Sequence, residues 1–565
     1  MKEVSASGNV MSFTIDRTAI AQIDPSKCVN CGTCRDICPT EAIEELQRTV
    51  CRLCPTCTDR PAMTMDENDN FSTAHACTTE CPLGISPQGY VNLTRLGQYE
   101  DAYKLIWKKN PLPAVCGRIC HHPCEQGCKR GTLVDEPIAI RGIKRFLSDH
   151  VDYIPPKYPR IYDEEIAVIG AGPAGLTAAH YLSLAGYRVT VFDSEPAAGG
   201  MLISGIPKFR LPRDVVAEEV DRLAQSGIDF VFSEKIGKHR LEELKSEFDA
   251  VLVAAGAPTS KELKIDGWRK EGVMTALQFM SCVDQDELLK RHPGQNFDFS
   301  GGSVVVIGGG NVALDCARSA VRLGAKKVTC TCLESGDDVP CHEWERREAE
   351  EEGIEILEGW APQRFSGVHN ELTGIDYEKV INFKNDGRLS FDTDAYQTMT
   401  LPADWVIVAV GQAPDSLWGN YYEEPNVFFA GDVKDPVNSV VGAMASGKET
   451  AVQIDEFFRG RTTKDLMNLR TLHSAPELEK VFPANRLRIA RPPMPILDAE
   501  DRMRSFNEVE TDYSESVITT EANRCLQCGY QSVDPEKCIG CGACQRECPK
   551  GDAITMTSID NGGIR

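Results

Sequence analysis

The 565-residue sequence predicts an α/β protein in which two Rossmann-like dinucleotide-binding units sit between cysteine-rich segments. Three observations predict it. An apolar strand, a glycine turn and a helix start, EIAVIGAGPAG at 165–175, recur as SVVVIGGGNVALD at 303–315. Each is followed by helical periodicity, a glycine and a second strand, which is the grammar of a βαβ unit. The 24 cysteines fall in three groups, Cys28 to Cys128, Cys282 to Cys341 and Cys525 to Cys548. At roughly 150 residues per domain, the length asks for three or four compact units.

Composition narrows the class. With 84 Asp and Glu against 61 Lys and Arg, the net charge is -23, which argues against nucleic acid and against an anionic membrane surface as partners. No apolar run reaches the roughly 18 residues of a membrane span, and MKEVSASGNVMSF lacks a secretory pattern. A cytoplasmic protein with no membrane insertion is expected. In such a chain, crowded thiols point to metal rather than to a disulfide framework.

In chain order, residues 1–65 carry Cys28, Cys31, Cys34 and Cys38 before Pro39, the pattern CxxCxxCxxxCP. Three thiolates spaced by two residues in a tight turn can hold three corners of a 4Fe-4S cube. The fourth cysteine completes that cube or enters a neighbouring one. Tetrahedral zinc is the alternative. Cys51, Cys54 and Cys57 follow as CxxCxxC, and residues 66–155 add Cys77, Cys81, Cys120, Cys124 and Cys128. A proline-rich joint, IPPKYPR, closes this region at 154–160.

Residues 160–290 then open the first nucleotide unit. Gly170 permits a tight turn, Gly172 lets the backbone approach a pyrophosphate, and Gly175 lets helix and strand pack closely. Asp193 ends the next strand about 20 residues on, where a carboxylate can hold a ribose hydroxyl. Residues 291–405 repeat the arrangement with Gly308, Gly310, Ala313 and Glu334. Cys330 and Cys332 on the strand between are expected as core thiols, and HEWERREAEEEG at 342–353 as a solvated amphipathic helix capped by Gly353. Residues 406–460 bring a last strand ending in Gly431-Asp432 and a small-residue helix, and 461–520 read as a linker. Residues 521–565 hold Cys525 and Cys528, then Cys538, Cys541, Cys544 and Cys548 before Pro549, a second CxxCxxCxxxCP.

These motifs carry a resemblance. GAGPAG at 170–175, GGMLISGIPKFRLP at 199–212, GGGNVALDCARSAVRLGA at 308–325, VGQAP at 410–414, AGD at 430–432 and NPLPAVCGRICHHPCEQGC at 110–128 resemble the glutamate synthase small chain-like iron-sulfur flavoproteins, NAD(P)H-dependent FAD/4Fe-4S oxidoreductases. The resemblance covers roughly residues 75–460. It implies two nested Rossmann-like domains behind a helical iron-sulfur domain, here flanked by ferredoxin-like segments. It places Gly170, Gly172, Gly175, Asp193, Gly200, Arg210, Leu211, Gly431 and Asp432 around FAD. Gly308, Gly310, Asn311 and Val312 go to the nicotinamide nucleotide. Cys77, Cys81, Cys120, Cys124 and Cys128 share two clusters in the helical domain. Relatives open that array with a CxxC. Here Cys51, Cys54 and Cys57, which could equally be the remnant of a second ferredoxin motif with Pro61 in its fourth position, compete for the role with Cys525 and Cys528, which could instead join a cluster with Cys548.

Two departures matter. Relatives offer a glutamine or glutamate ligand where this chain has Lys144, whose ammonium has no lone pair for iron; Cys116 or Cys57 could replace it. NADPH-using relatives place an arginine pair where this chain has Leu333 and Glu334, which reads as a preference for NADH. Hydride chemistry then belongs to the cofactors, and no side chain is expected to act as a general acid or base. The expected function is electron transfer from NADH through FAD and about four 4Fe-4S clusters, in either direction. The acceptor would be a redox subunit carrying a terminal reductase, hydrogenase, dehydrogenase or synthase site, or a soluble ferredoxin. A glutamate synthase small chain, an electron-bifurcating subunit and a non-catalytic polyferredoxin scaffold are the alternatives.

Overall fold

The computed structural model describes residues 19–24, 27–38, 40, 42–47, 76–283, 298–385, 389–437, 439–460, 488–533, 538 and 541–558. Cys51, Cys54 and Cys57 lie outside them. The chain forms two units, one of Met1–Ile154, Asp455–Pro493 and Asp512–Arg565, the other of Pro155–Ile454 and Met494–Thr511. Among the described residues no helix is long and apolar enough to cross a membrane.

The second unit holds the nucleotide folds, and its two parallel sheets follow from runs of Val, Ile and Ala buried on both faces. The first sheet has the order Val427–Phe429, Ala250–Val253, Glu165–Ile169, Arg188–Phe192, Asp229–Val231. It thereby joins the segments expected as the two halves of one domain. The second runs Glu355–Glu358, Lys327–Cys332, Ser303–Ile307, Trp405–Val408, Val273–Thr275. Its edge strand, Val273–Thr275, precedes residue 291, so the inserted domain takes up chain earlier than the sequence boundary. One face of this sheet packs on the Ala276–Val283 and Asn311–Arg322 helices through Phe279, Val304, Val306, Ala317 and Cys330. Val305, Ile307, Val406 and Val408 on the other face meet Phe365, Ile375 and Tyr377 of a three-stranded antiparallel sheet, Trp360–Val368, Glu371–Asn385 and Leu389–Pro402. Cys330 and Cys332 are core thiols, 2% and 3% exposed.

The stretch expected as a linker contains two helices, Ala499–Arg504 and Glu515–Asn523, and is divided between the units. Residues 494–511 strap onto the nucleotide unit, with the Val509 amide donating to the Phe209 carbonyl at 2.8 Å. The acidic helix, Glu343–Glu351, also departs from expectation. Glu345 and Glu352 are buried because arginines meet them. Glu352 accepts from Arg318 at 2.8 Å and from Arg322 at 2.6 Å, while Arg502 of the strap pairs with Glu351 at 2.6 Å. Phe209 lies beneath the guanidinium groups, 3.9 Å from Arg322 and 5.1 Å from Arg318.

The first unit is a set of helices joined to a small β structure. Its central helix, Pro87–Arg95, starts where Ser86 accepts from the Gly89 amide at 3.2 Å and proline takes the first helical position. The helices Tyr99–Trp107, Pro113–Ile119, Ile140–His150 and, from the far end of the chain, Glu515–Asn523 belong to the same unit. Two antiparallel strand pairs, Ala19–Ile23 with Ile554–Ser558 and Ile43–Gln47 with Gly529–Val533, complete it.

Candidate functional site

In the first nucleotide unit, the turn after strand Glu165–Ile169 has Gly170 at φ 104°, and any Cβ there would strike the Ala254 carbonyl. A Cβ at Gly175 would run into the Gly170 carbonyl, so helix Pro173–Ala185 can sit this close to the strand only with glycine. Gly172, at the start of that helix, has open space above it, as a pyrophosphate requires. Asp193 holds the same loop from beside it, accepting from the Ala171 amide at 2.6 Å and from Glu195 at 2.9 Å. Gly200 lies over Gly172, 3.1 Å from its Cα to a built Cβ, and Gly431 comes equally near Ala174. Asp432 accepts from the Val437 amide at 2.9 Å. Five of the expected glycines and both acids thus surround one helix start.

Arg210 and Leu211, the other residues expected around FAD, have contacts of their own. The Arg210 guanidinium is taken up by two carboxylates of the inserted domain, Asp315 at 2.8 Å and Glu345 at 2.6 Å. Burial pushes Asp315 up to about 6 against the pull of Arg210. Leu211 is fully buried. Arg210 therefore ties the two nucleotide folds together. The arginine was visible in the sequence, but its partners lie 105 and 135 residues away, beyond any local signal.

The second nucleotide turn repeats the first, with Gly308 at φ 145° and Gly310 capping helix Asn311–Arg322. The Asn311 side chain accepts from the His342 amide at 2.9 Å and pins the 340–342 loop beside the turn, while Val312 is 44% exposed. Glu334 lies just past strand Lys327–Cys332. Its Oε2 is only 3.2 Å from a Cβ built on Gly309, so the carboxylate stands directly over the glycine turn.

In the first unit the cysteines sort into groups. Cys77, Cys128, Cys525 and Cys528 line one cavity together with Pro87, Gln88 and Val91 of the central helix. The device that draws Cys525 there is ionic. Arg524, 1% exposed, bonds Glu521 at 2.7 Å and Asp135 at 3.0 Å, and its carbonyl accepts from Arg130 at 2.7 Å. Burial alone would raise Asp135, but hydrogen bonds and charge from Arg130, the Glu136 amide and Arg524 hold its carboxyl at about 2. The sequence left the destination of Cys525 and Cys528 open; the structure takes them to the helical domain.

A second group, Cys116, Cys120, Cys124 and Cys81, lies near the buried Lys144 ammonium. Gly117 permits this arrangement, since a Cβ there would lie 2.8 Å from the Arg145 Cα and force helices Pro113–Ile119 and Ile140–His150 apart. A third group, Cys28, Cys31, Cys34 and Cys548, rings a second cavity. It abuts the central helix. A Cβ on Gly89 would come within 2.6 Å of the Cys31 Cα, and Ser86 donates to the Asn30 carbonyl at 2.9 Å. Among the described residues no three His, Cys, Asp or Glu side chains converge as they would on a single ion; the first and third groups ring cavities instead.

Residues 164–447 match the pyridine nucleotide-disulphide oxidoreductase family, residues 71–153 match the 4Fe-4S domain II of dihydropyrimidine dehydrogenase, and residues 21–44 and 532–551 match the 4Fe-4S binding domain. The chain belongs to the FAD/4Fe-4S oxidoreductase family. As an iron-sulfur flavoprotein it is 30% identical over 419 residues to the glutamate synthase [NADPH] small chain of Azospirillum brasilense, covering 68% of this chain and 86% of that one. It is 32% identical over 513 residues to NADP(+)-dependent formate dehydrogenase subunit beta of Moorella thermoacetica, covering 81% and 71%. With the NAD-dependent dihydropyrimidine dehydrogenase subunit PreT of Escherichia coli K12 it shares 33% over 407 residues, covering 68% and 91%. Of another curated relative it spans about half the length, 51%. The resemblance read from the motifs is borne out.

Proposed function

We propose that this iron-sulfur flavoprotein is an NADH-oxidising electron-transfer subunit. Its acceptor would be a redox subunit carrying a reductase, hydrogenase, dehydrogenase or synthase site, or a soluble ferredoxin. The observation that carries the nucleotide choice is the Glu334 carboxylate over Gly309, with uncharged Leu333 beside it. A carboxylate accepts from a ribose 2'-hydroxyl and repels a 2'-phosphate. Relatives bear names with either nucleotide, so the choice rests on these two residues.

Bound at the first glycine turn, FAD would supply a two-electron acceptor for one hydride and a one-electron donor to the clusters. The helix N-terminus at Gly172 would face the pyrophosphate, and Asp193, which holds the Ala171 amide, would meet the ribose. Cys77, Cys128, Cys525 and Cys528 would hold one cube. Cys81, Cys120 and Cys124 would hold another, completed by Cys116, the remaining thiol beside Lys144. The two CxxCxxCxxxCP motifs supply two more.

Purified without oxygen, the chain is expected to carry FAD and about 16 iron atoms with matching labile sulfide, four per cube. Flavin-free protein, or protein holding only zinc, would overturn the reading. Within the helical domain, Lys144→Ala should leave the iron count unchanged, whereas Cys116→Ala and Cys120→Ala should each remove or convert one cluster. Low-temperature spin resonance of reduced samples reads the difference. A cluster lost from folded Lys144→Ala protein would show that the lysine, not Cys116, organises that site.

A further inference from the structure

The two cysteine motifs that the sequence sets at opposite ends of the chain are halves of one object. Ala19 pairs with Ser558 and Ile23 with Ile554, while Ile43 pairs with Val533 and Gln47 with Gly529. Each motif's first strand therefore pairs with the other motif's last. The short helix Thr33–Asp36 follows Gly32 at φ 82°, and its counterpart Ala543–Arg546 follows Gly542 at φ 68°. The halves are related as if by a two-fold axis. They share one core, in which Ala21, Ala42, Ile43 and Ile554 pack with the thiols of Cys34, Cys538 and Cys544. The Asp24 amide donates to the Ala553 carbonyl at 2.8 Å, and Lys27 pairs with Asp552 at 3.1 Å.

This pairing decides which thiols meet. Cys548 belongs by sequence to the second motif, yet it lines the cavity of Cys28, Cys31 and Cys34, beside Ile23, Val29 and Ile554. Conversely, Cys38 of the first motif packs in the shared core with Cys538 and Cys544, and Cys541, Cys538 and Cys38 are the thiols that act on Cys544 electrostatically. The reason is geometric. In both motifs a short helix, Thr33–Asp36 or Ala543–Arg546, carries the third cysteine and turns the chain before the fourth, which is delivered to the partner half.

We infer that the two ends of the chain close a single two-cluster ferredoxin with exchanged fourth ligands. Cys28, Cys31, Cys34 and Cys548 hold one 4Fe-4S cube, and Cys538, Cys541, Cys544 and Cys38 hold the other. The inference rests on the proposal that these motifs bind iron-sulfur cubes, and goes beyond it by fixing the ligand sets and making each cube dependent on both ends of the chain.

The test counts iron and labile sulfide per FAD in the full chain purified without oxygen. With exchange, the double variant Cys28→Ala/Cys548→Ala strikes one cube and loses about four iron atoms; without exchange it strikes two and loses about eight. Cys28→Ala/Cys38→Ala reads the opposite way, about eight with exchange and about four without. Should these variants fail to accumulate, the parent protein answers by partial chelation, alkylation of the released thiols and peptide mapping. Labelling of Cys548 in step with Cys28, Cys31 and Cys34 supports the exchange. Labelling in step with Cys538, Cys541 and Cys544 overturns it while leaving the iron-sulfur reading intact. A parent chain without iron or sulfide overturns both.

Discussion

Glu352→Ala is expected to destabilise the nucleotide unit by about 3–5 kcal/mol, because it leaves Arg318 and Arg322 charged and buried without their shared acceptor. Glu352 is 2% exposed and takes four arginine hydrogen bonds of 2.6–3.1 Å. For a unit of this size the loss should lower the calorimetric transition by roughly 10 °C. A shift of only a degree or two would show that the arginines reach water. The same site sets an acid limit. Burial would raise the Glu352 carboxyl above 4.5, but hydrogen bonds and charge from Arg322 and Arg318 outweigh it and hold the folded value below. Its contribution is therefore complete above the unfolded value and is lost as pH falls through the lower, folded one.

The parent chain should reduce its flavin with NADH at a kcat/KM at least about tenfold above that with NADPH, a transition-state difference of at least about 1.4 kcal/mol. Changing Leu333→Arg and Glu334→Arg together should narrow or reverse the ratio. Two guanidinium groups can then bond the 2'-phosphate, and the carboxylate over Gly309 is gone. Anaerobic stopped-flow measurement of flavin bleaching isolates this step from any downstream partner. Equal rates with both nucleotides in the parent, unchanged in the double variant, would remove Glu334 from the ribose site.

Much of this was legible in the residues because the signals are local. Gly170 and Gly308 mark turns that no other residue can make, and the buried strands beside them read directly as apolar runs. The thiol motifs were equally plain. What the sequence could not say depends on partners far along the chain. That Arg210 meets Asp315 and Glu345 has no local sign in the sequence. The acidic helix looks solvated until Arg318, Arg322 and the strap's Arg502 arrive. Cys525 and Cys528 have a recognisable spacing, but only the Arg524–Asp135 and Arg130–Arg524 bonds settle where they go. The Val273–Thr275 edge strand is too short to announce which sheet it joins.

The pairing of Ala19–Ile23 with Ile554–Ser558 has a consequence in time. At roughly 5–20 residues per second, synthesis leaves the first half of that small β structure waiting on the order of a minute for the second. During that interval both nucleotide folds can emerge and collapse, while strands Ala19–Ile23 and Ile43–Gln47 present unpaired edges. Ribosomes that stall after the nucleotide folds would release chains with a finished flavin fold and an open-edged N-terminus. Pairing of Ala19–Ile23 waits on Ile554–Ser558, so this long-range closure follows synthesis of both nucleotide folds.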